Sequence, residues 1–157
     1  MTIADLIKKL EERPKTKDEH REAQLKDWQS AVFALMGQIE DWLRPAVAKG
    51  VLKLTSTETK MVEEDFGNYS VPTLHVTDDQ VTVRFEPIAG RIDGVVGAGS
   101  RRLIGLKGRV DLVCGPIRIP IVRTANDKWM AVPLTGEPRE LSADVLGELM
   151  AVALLNE

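Results

Sequence analysis

The chain has one cysteine, two histidines and no long apolar run, and each scarcity excludes a class of protein. A single cysteine, Cys114, excludes an intrachain disulfide and a cysteine-rich zinc site. His20 and His75 lie far apart and do not match the spacing of a zinc protease helix. The apolar runs are far too short to span a membrane, and the N-terminal segment carries acids and lacks the apolar centre of a signal peptide. We therefore expect a soluble, cytoplasmic protein.

The formal net charge of −3 conceals an uneven distribution along the chain. Residues 81–124 hold 8 lysines and arginines against 3 acidic residues, whereas residues 1–80 hold 11 against 15 and residues 125–157 hold 2 against 6. A basic segment between acidic ones indicates either charge matching inside one domain or a patch that faces an anion. The overall acidity argues against a protein dedicated to duplex nucleic acid, whose phosphates attract basic surfaces.

Two N-terminal segments have the periodicity of helices. Thr2 and Asp5 form a capping pattern, which predicts a helix over residues 2–13. Its apolar residues at helical spacing are Ile3, Leu6, Ile7 and Leu10. A second helix is predicted over residues 17–44, and Pro45 is expected to end or kink it.

The second predicted helix carries large apolar residues three and four positions apart, as coiled-coil helices do. They are Leu25, Trp28, Val32, Leu35, Ile39 and Trp42. Neighbouring apolar residues widen the stripe, which favours a face packed on the rest of the domain. A seam between two copies of the chain is the alternative, and it makes these six side chains the candidate interface.

After Gly50 the apolar period shortens to two, which indicates β-strands. Residues 51–55 and 57–64 are two weak strand candidates, rich in threonine and charge as edge strands are. About six consecutive strands without intervening helices predict an antiparallel meander over residues 52–134, followed by a helix over residues 142–155. We expect one α+β domain, residues 1–157, with an N-terminal helical pair and the C-terminal helix packed on one sheet face. The strand residues expected in its core are Val83, Phe85, Val110, Leu112, Ile119 and Ile121.

Residues 88–109 combine six glycines with five basic residues, and this is where chemistry is most expected. Successive backbone N–H groups in a glycine turn bind anions, and neighbouring guanidinium groups strengthen the site. The candidate ligands for a phosphate or nucleotide are Gly97, Gly99, Ser100, Arg101, Arg102, Lys107 and Arg109. The segment matches neither a P-loop nor a dinucleotide fingerprint, so a solvated hairpin tip is the alternative interpretation.

Arg109 and Asp111 lie two positions apart on one predicted strand and therefore share a face. We expect them to form an ion pair, and the neighbouring charges to extend it into a ladder on the open face of the sheet. Those neighbours are Arg84, Glu86, Arg91 and Arg118.

The remaining reactive residues have structural interpretations. His75 is expected to be half buried on the sheet, and Cys114 to be an inert core thiol. The acidic residues at 63–65 and 78–79 lack the EF-hand pattern and fit a solvated edge. We predict no catalytic residue, no metal and no cofactor.

No catalytic constellation is recognisable from spacing, so the leading hypothesis is a non-catalytic protein-interaction module. Such a module would be an adaptor, accessory or inhibitory protein that binds protein, including a second copy of itself through residues 17–44, rather than a membrane or duplex nucleic acid. A binding domain for a small anion, centred on residues 97–109, is the alternative. An enzyme of unknown class is the third hypothesis.

Overall fold

The computed structural model describes residues 1–12, 17–92, 105–133 and 136–156, and these ranges contain three helices and seven strands. In chain order they are α1 (Ile3–Glu12), α2 (Lys17–Ala48), β1 (Lys53–Glu63), β2 (Gly67–Thr77), β3 (Thr82–Ala89), β4 (Gly108–Cys114), β5 (Ile117–Arg123), β6 (Trp129–Ala131), β7 (Arg139–Glu140) and α3 (Ala143–Leu155). The predicted α+β order along the chain, with helices before and after a run of strands, is confirmed.

The strands form one antiparallel sheet in which each strand pairs with its neighbours in sequence, so the spatial order runs from β1 to β7. The helices α2 and α3 pack on the same face of this sheet. The Trp28 ring of α2 lies over Gly108, and the Cys114 thiol donates to the Ala153 carbonyl of α3 at 3.4 Å. Gly108 and Cys114 lie an even number of residues apart on β4 and so face the same side. The sequence-based prediction of a C-terminal helix on one sheet face is therefore confirmed.

The core lies between these helices and the covered face of the sheet. The six strand residues predicted from alternation are all buried; they are Val83, Phe85, Val110, Leu112, Ile119 and Ile121. α3 begins where predicted, because the Ser142 hydroxyl accepts a hydrogen bond from the Val145 N–H at 3.2 Å. Local pattern and tertiary packing agree throughout this part of the chain.

The long β1–β2 hairpin changes the side that it buries. Tyr69 and Val71 are buried at one end of β2, whereas Leu74 and Val76, of opposite parity, are buried at the other end. The pairing register with β1 runs without a break from Glu63↔Gly67 to Lys53↔Thr77, so no bulge causes the change. Strands twist along their length. A hairpin whose strands are eleven residues long therefore rotates enough to turn one face toward α2 at one end and the opposite face at the other.

The structure corrects three boundaries. α2 continues through Pro45 to Ala48. Pro45 is exposed, so water can solvate the Asp41 carbonyl that loses its helical partner, and the Lys49 N–H still donates to the Pro45 carbonyl at 3.2 Å. The helix ends at Ala48, and the turn that follows contains Gly50, whose φ of 72° suits glycine.

The sheet boundaries also differ from the prediction. The two weak strand candidates form one strand, β1, because an edge strand that buries none of its side chains fully shows no clean alternation. The two-residue strand β7 lies beyond the predicted end of the sheet at residue 134, since two residues carry no detectable period.

Candidate functional site

Five of the seven candidate anion ligands lie outside the described residues; they are Gly97, Gly99, Ser100, Arg101 and Arg102. The other two, Lys107 and Arg109, each bind a carboxylate. The Lys107 ammonium lies 2.9 Å from Asp127, and the Arg109 guanidinium lies 2.7 Å from Asp111. Anion binding by this segment therefore stays a prediction, and the two described cations already have acidic partners.

A cleft of about 660 Å³ lies between the start of α2 and the ends of β3–β5. Its polar and aromatic lining includes His20, Gln24, Phe66, Arg91, Lys107 and Arg123. The cleft adjoins the described ends of the basic, glycine-rich segment at Arg91 and Lys107, and Lys107 is the described candidate anion ligand that lines it. The charges that line the cleft determine whether it favours an anion.

Arg123 is buried at the wall of this cleft and is neutralised on both sides. Its guanidinium lies 2.9 Å from Asp27 of α2 and 2.9 Å from Asp127. The hydrogen bond from Lys107 and the charge of Arg123 together hold the pKa of Asp127 below its ordinary value. Two carboxylates thus balance the charges of Arg123 and Lys107.

The third basic residue of the cleft, Arg91, lies 3.3 Å from Asp65. It was expected in the charged ladder on the open face of the sheet, and it lies at the cleft instead because the chain leaves β3 at Ala89. With an acidic partner for each described cation, the cleft does not offer the surplus of positive charge that favours an anion.

A buried hydrogen-bond chain forms the floor of the cleft. The Trp28 indole N–H donates to the Tyr69 hydroxyl at 3.2 Å, Tyr69 donates to the Glu63 carboxylate, and Glu63 accepts the Gly90 N–H at 3.1 Å. Burial is the main cause that raises the pKa of Tyr69 above its ordinary value, and the hydrogen bond to Glu63 raises it further. The phenol is therefore held protonated and fixes the position of Trp28.

Sequence reasoning missed this chain of contacts because its members lie far apart. Trp28 and Tyr69 are separated by 41 positions, and Glu63 and Gly90 by 27. Gly90 and Gly108 were interpreted as parts of a turn, yet a Cβ at either position would lie within 2.5 Å of the Trp28 ring. Two of the glycines thus make room for a tryptophan rather than for a ligand.

The predicted ion pair of Arg109 and Asp111 is present and larger than expected. Asp111 has no exposed surface, and its carboxylate accepts two bonds from Arg109, at 2.7 and 3.0 Å, and one from Arg118 at 2.8 Å. The bond to Asp111 raises the pKa of Arg118. Arg84 and Glu86 continue the ladder with a separation of 3.8 Å. The carboxylate is fully occupied by its partners, which suits a structural role.

The other reactive side chains occupy structural positions. His75 is half buried and shares a 2.9 Å hydrogen bond with the Thr57 hydroxyl. Cys114 is buried, as predicted for a core thiol. Within the described ranges, no group of three or more histidine, cysteine or acidic side chains is arranged to hold a metal ion.

The apolar stripe of α2 lies in the core of the single chain. Four of its six side chains are at most 3% exposed; they are Trp28, Val32, Leu35 and Ile39. Leu25 and Trp42 are half buried and pack against the same core. The burial agrees with the interpretation of the stripe as a face packed on its own domain. An interface between two copies through these residues stays a prediction.

α1 has the opposite character. None of its residues is buried, although four of them form an apolar stripe. The exposed fractions are 72% for Ile3, 41% for Leu6, 50% for Ile7 and 47% for Leu10. The helix is held locally by reciprocal 3.1 Å bonds between Thr2 and Asp5, as the capping pattern predicted. The stripe faces solvent in this structure.

A second apolar surface lies between α3 and the strands β5–β7, and we call it the α3 groove. It encloses about 760 Å³. Its apolar walls include Ile117 and Ile119 of β5 and Val145, Leu149 and Val152 of α3. Arg139 and Glu148 form an ion pair at its rim. No local sequence pattern predicts this groove, because its walls come from separate segments.

No protein-family model matches the chain, and no curated protein or solved structure is significantly similar to it. Among the described residues, no helix has the length and apolar character needed to cross a bilayer. Function must therefore be argued from the surfaces of the chain itself.

Proposed function

We propose that the protein is a non-catalytic protein-interaction module whose binding element is α1. The observation that supports this is the spacing of the exposed apolar residues of α1. They occupy positions i, i+3, i+4 and i+7, which is how amphipathic helices anchor in apolar grooves of their partners.

The stability of a short helix adds a second argument. Isolated helices below about 12–15 residues are marginal in water, and most helices gain their stability by packing an apolar face. α1 has ten residues, and no buried side chain supplies such packing. Contact with a partner would bury the stripe and stabilise the helix together, so binding and helix formation are expected to be coupled.

Photo-crosslinking from two positions of α1 tests this proposal. In the full chain, a photoreactive amino acid replaces Leu6, inside the stripe, or Lys8, on the opposite face of the helix. Irradiation in the cells that produce the protein should join a second polypeptide to the Leu6 position and little to the Lys8 position. Equal capture at both positions, or capture of lipid alone, would contradict an α1 interaction with protein.

The anion-binding alternative has a separate test, because its arginines lie outside the described residues. Inorganic phosphate and nucleotides should raise the melting temperature of the wild-type chain and leave that of the Arg101→Ala, Arg102→Ala double variant unchanged. The unliganded melting temperatures of the two proteins should agree closely, because the sequence predicts exposed arginines, whose replacement is expected to shift stability by less than about 1 kcal/mol. No shift with any of these ligands would remove the alternative.

A further inference from the structure

We infer that α1 of one copy of the chain docks in the α3 groove of a second copy. This inference rests on the proposed function and names the partner. The chain has both an exposed apolar stripe on α1 and an apolar groove beside α3, their lengths agree, and their charges do not repel each other.

The dimensions agree along the helix axis. Ile3 and Leu10 are seven residues apart, so the stripe is about 10 Å long, and the α3 residues that line the groove, from Val145 to Val152, span the same length. The groove volume of about 760 Å³ lies within the range of sites that enclose apolar ligands. Val152 is 36% exposed at its wall, so part of the apolar lining is accessible from outside.

The charges beside the two apolar surfaces are also compatible. On a helical projection, Lys9 and Glu11 lie on opposite sides of the α1 stripe. The rim of the groove likewise carries both signs, with Arg139 and Glu148. Because Arg139 and Glu148 neutralise each other at the rim, and the flanks of the stripe carry one charge of each sign, no net repulsion opposes docking.

The same copy is poorly placed to fill its own groove. Asp27 contacts Arg123, at the end of β5, and Lys17 lies ten residues earlier, about 15 Å farther along α2. The groove lies toward the other end of β5, at Ile117, about 20 Å from Arg123. α2 runs toward that end, because Trp28 lies by Tyr69, near the start of β2, and Phe33 farther along the strand by Pro72.

The link between the helices is shorter than the separation of about 35 Å between Lys17 and the Ile117 end of β5. Five steps from Glu12 to Lys17 cover at most about 18 Å. A link of this length, even fully extended, does not span that separation. A second copy has no such restriction. Reciprocal exchange of α1 between two copies gives two identical contacts and a closed pair.

A complementation experiment with the full chain tests the exchange. The α1 variant carries Leu6→Glu and Ile7→Glu, and the groove variant carries Val152→Glu. Lys8→Glu is the control for α1, with the same total charge change on the opposite face. Leu155→Glu is the control for α3, because Leu155 is 62% exposed and does not line the groove. Sedimentation velocity gives the mass of each protein, and thermal melts confirm that each is folded.

The expected pattern is specific to reciprocal docking. The wild type and both controls should form pairs of chains. The α1 and groove variants should each bind themselves roughly tenfold or more weakly. Mixing the two variants should restore a pair, because the intact α1 of the groove variant meets the intact groove of the α1 variant.

Three results would overturn the inference: a wild type that stays a single chain at all concentrations, a groove variant that pairs like wild type, or a mixture that does not pair. The crosslinking from Leu6 separates these failures from failure of the proposed function. Capture of a different protein there would leave α1 as a binding element and remove only the second copy as its partner. No polypeptide capture in addition would contradict both.

Discussion

α1 and α2 both carry an apolar stripe at helical spacing, yet one stripe is exposed and the other forms the core. Leu35 of α2 is 3% exposed, whereas Leu6 of α1 is 41% exposed. The difference does not lie in the periodicity, which is clear in both. It lies in what the rest of the chain provides: α2 meets a sheet face that fits its side chains, and α1 meets none among the described residues. Periodicity thus identifies a face that can be buried, and tertiary structure decides whether it is.

The largest expected effect separates the two stripes by stability. Leu35→Ala should lower the free energy of unfolding by about 2–5 kcal/mol, because it leaves a cavity in a packed core. Leu6→Ala should change it by less than about 0.5 kcal/mol, as for surface positions. Urea denaturation at low protein concentration measures both. Similar losses for the two variants would mean that α1 packs on its own domain.

The second prediction concerns the fit of the α2 stripe to the sheet. Gly108→Ala should be strongly destabilising, because the new Cβ would lie 2.2 Å from the Trp28 ring and φ is 151°. Overpacking costs about 1–3 kcal/mol, and the strained backbone adds to it. Gly105→Ala is the control, with a φ of 68° and no atom near the added Cβ. Equal melting temperatures for the two variants would show that the contact with Trp28 is unimportant.

A smaller effect should come from the hydrogen-bond chain beneath Trp28. Tyr69→Phe removes the acceptor of the buried indole N–H, and an unsatisfied buried donor costs about 1–3 kcal/mol. Thr57→Val, which removes only a bond to half-buried His75 at the exposed edge of the sheet, should cost less. Chemical denaturation with tryptophan fluorescence follows both variants. An unchanged midpoint for Tyr69→Phe would mean that water replaces the lost hydroxyl.

The smallest effect is a pH dependence confined to α1. Bonds from the backbone N–H and the hydroxyl of Thr2 hold the pKa of Asp5 below its ordinary value of 3.8. A lowered pKa in the helical state means that Asp5 stabilises α1 above pH 3.8, and that this contribution disappears as pH falls through the lowered pKa. Amide chemical shifts of residues 3–12 should therefore move toward coil in acid.

Two comparisons control the acid titration. Asp5→Asn should remove the acid-dependent component of these shifts, since it has no titrating carboxylate. Leu35 and its core neighbours should keep their shifts over the same range as long as the domain stays folded. A titration midpoint for Asp5 at or above 3.8 would contradict the capping geometry.

The fold followed from the sequence wherever burial alternated along one strand. Val83 and Phe85 of β3, or Val110 and Leu112 of β4, each have one face in the core, so a period of two identifies them. β1 was not predicted as one strand, because an edge strand that buries none of its side chains fully shows no such alternation. The end of α2 was wrongly predicted at Pro45 because the cost of a helical proline depends on whether the freed carbonyl can be solvated, which is a tertiary property.

The candidate site was less predictable than the fold. The pair of Arg109 and Asp111 followed from strand geometry, because two positions on one strand fix a shared face. The α3 groove and the Trp28 floor did not, since their walls come from segments that only the folded chain brings together. Spacing along a sequence reveals a site when one element holds it and conceals it when several do.

The reactivity of the Cys114 thiol can report on motions of the α3 groove. This thiol is the only one in the chain, is 7% exposed and donates to the Ala153 carbonyl of α3. A thiol reagent can reach it only when α3 moves away from β4, so the alkylation rate reports how often one wall of the α3 groove opens. A bound helix that holds α3 against the sheet would lower the alkylation rate of Cys114, and no label would have to be introduced to measure it.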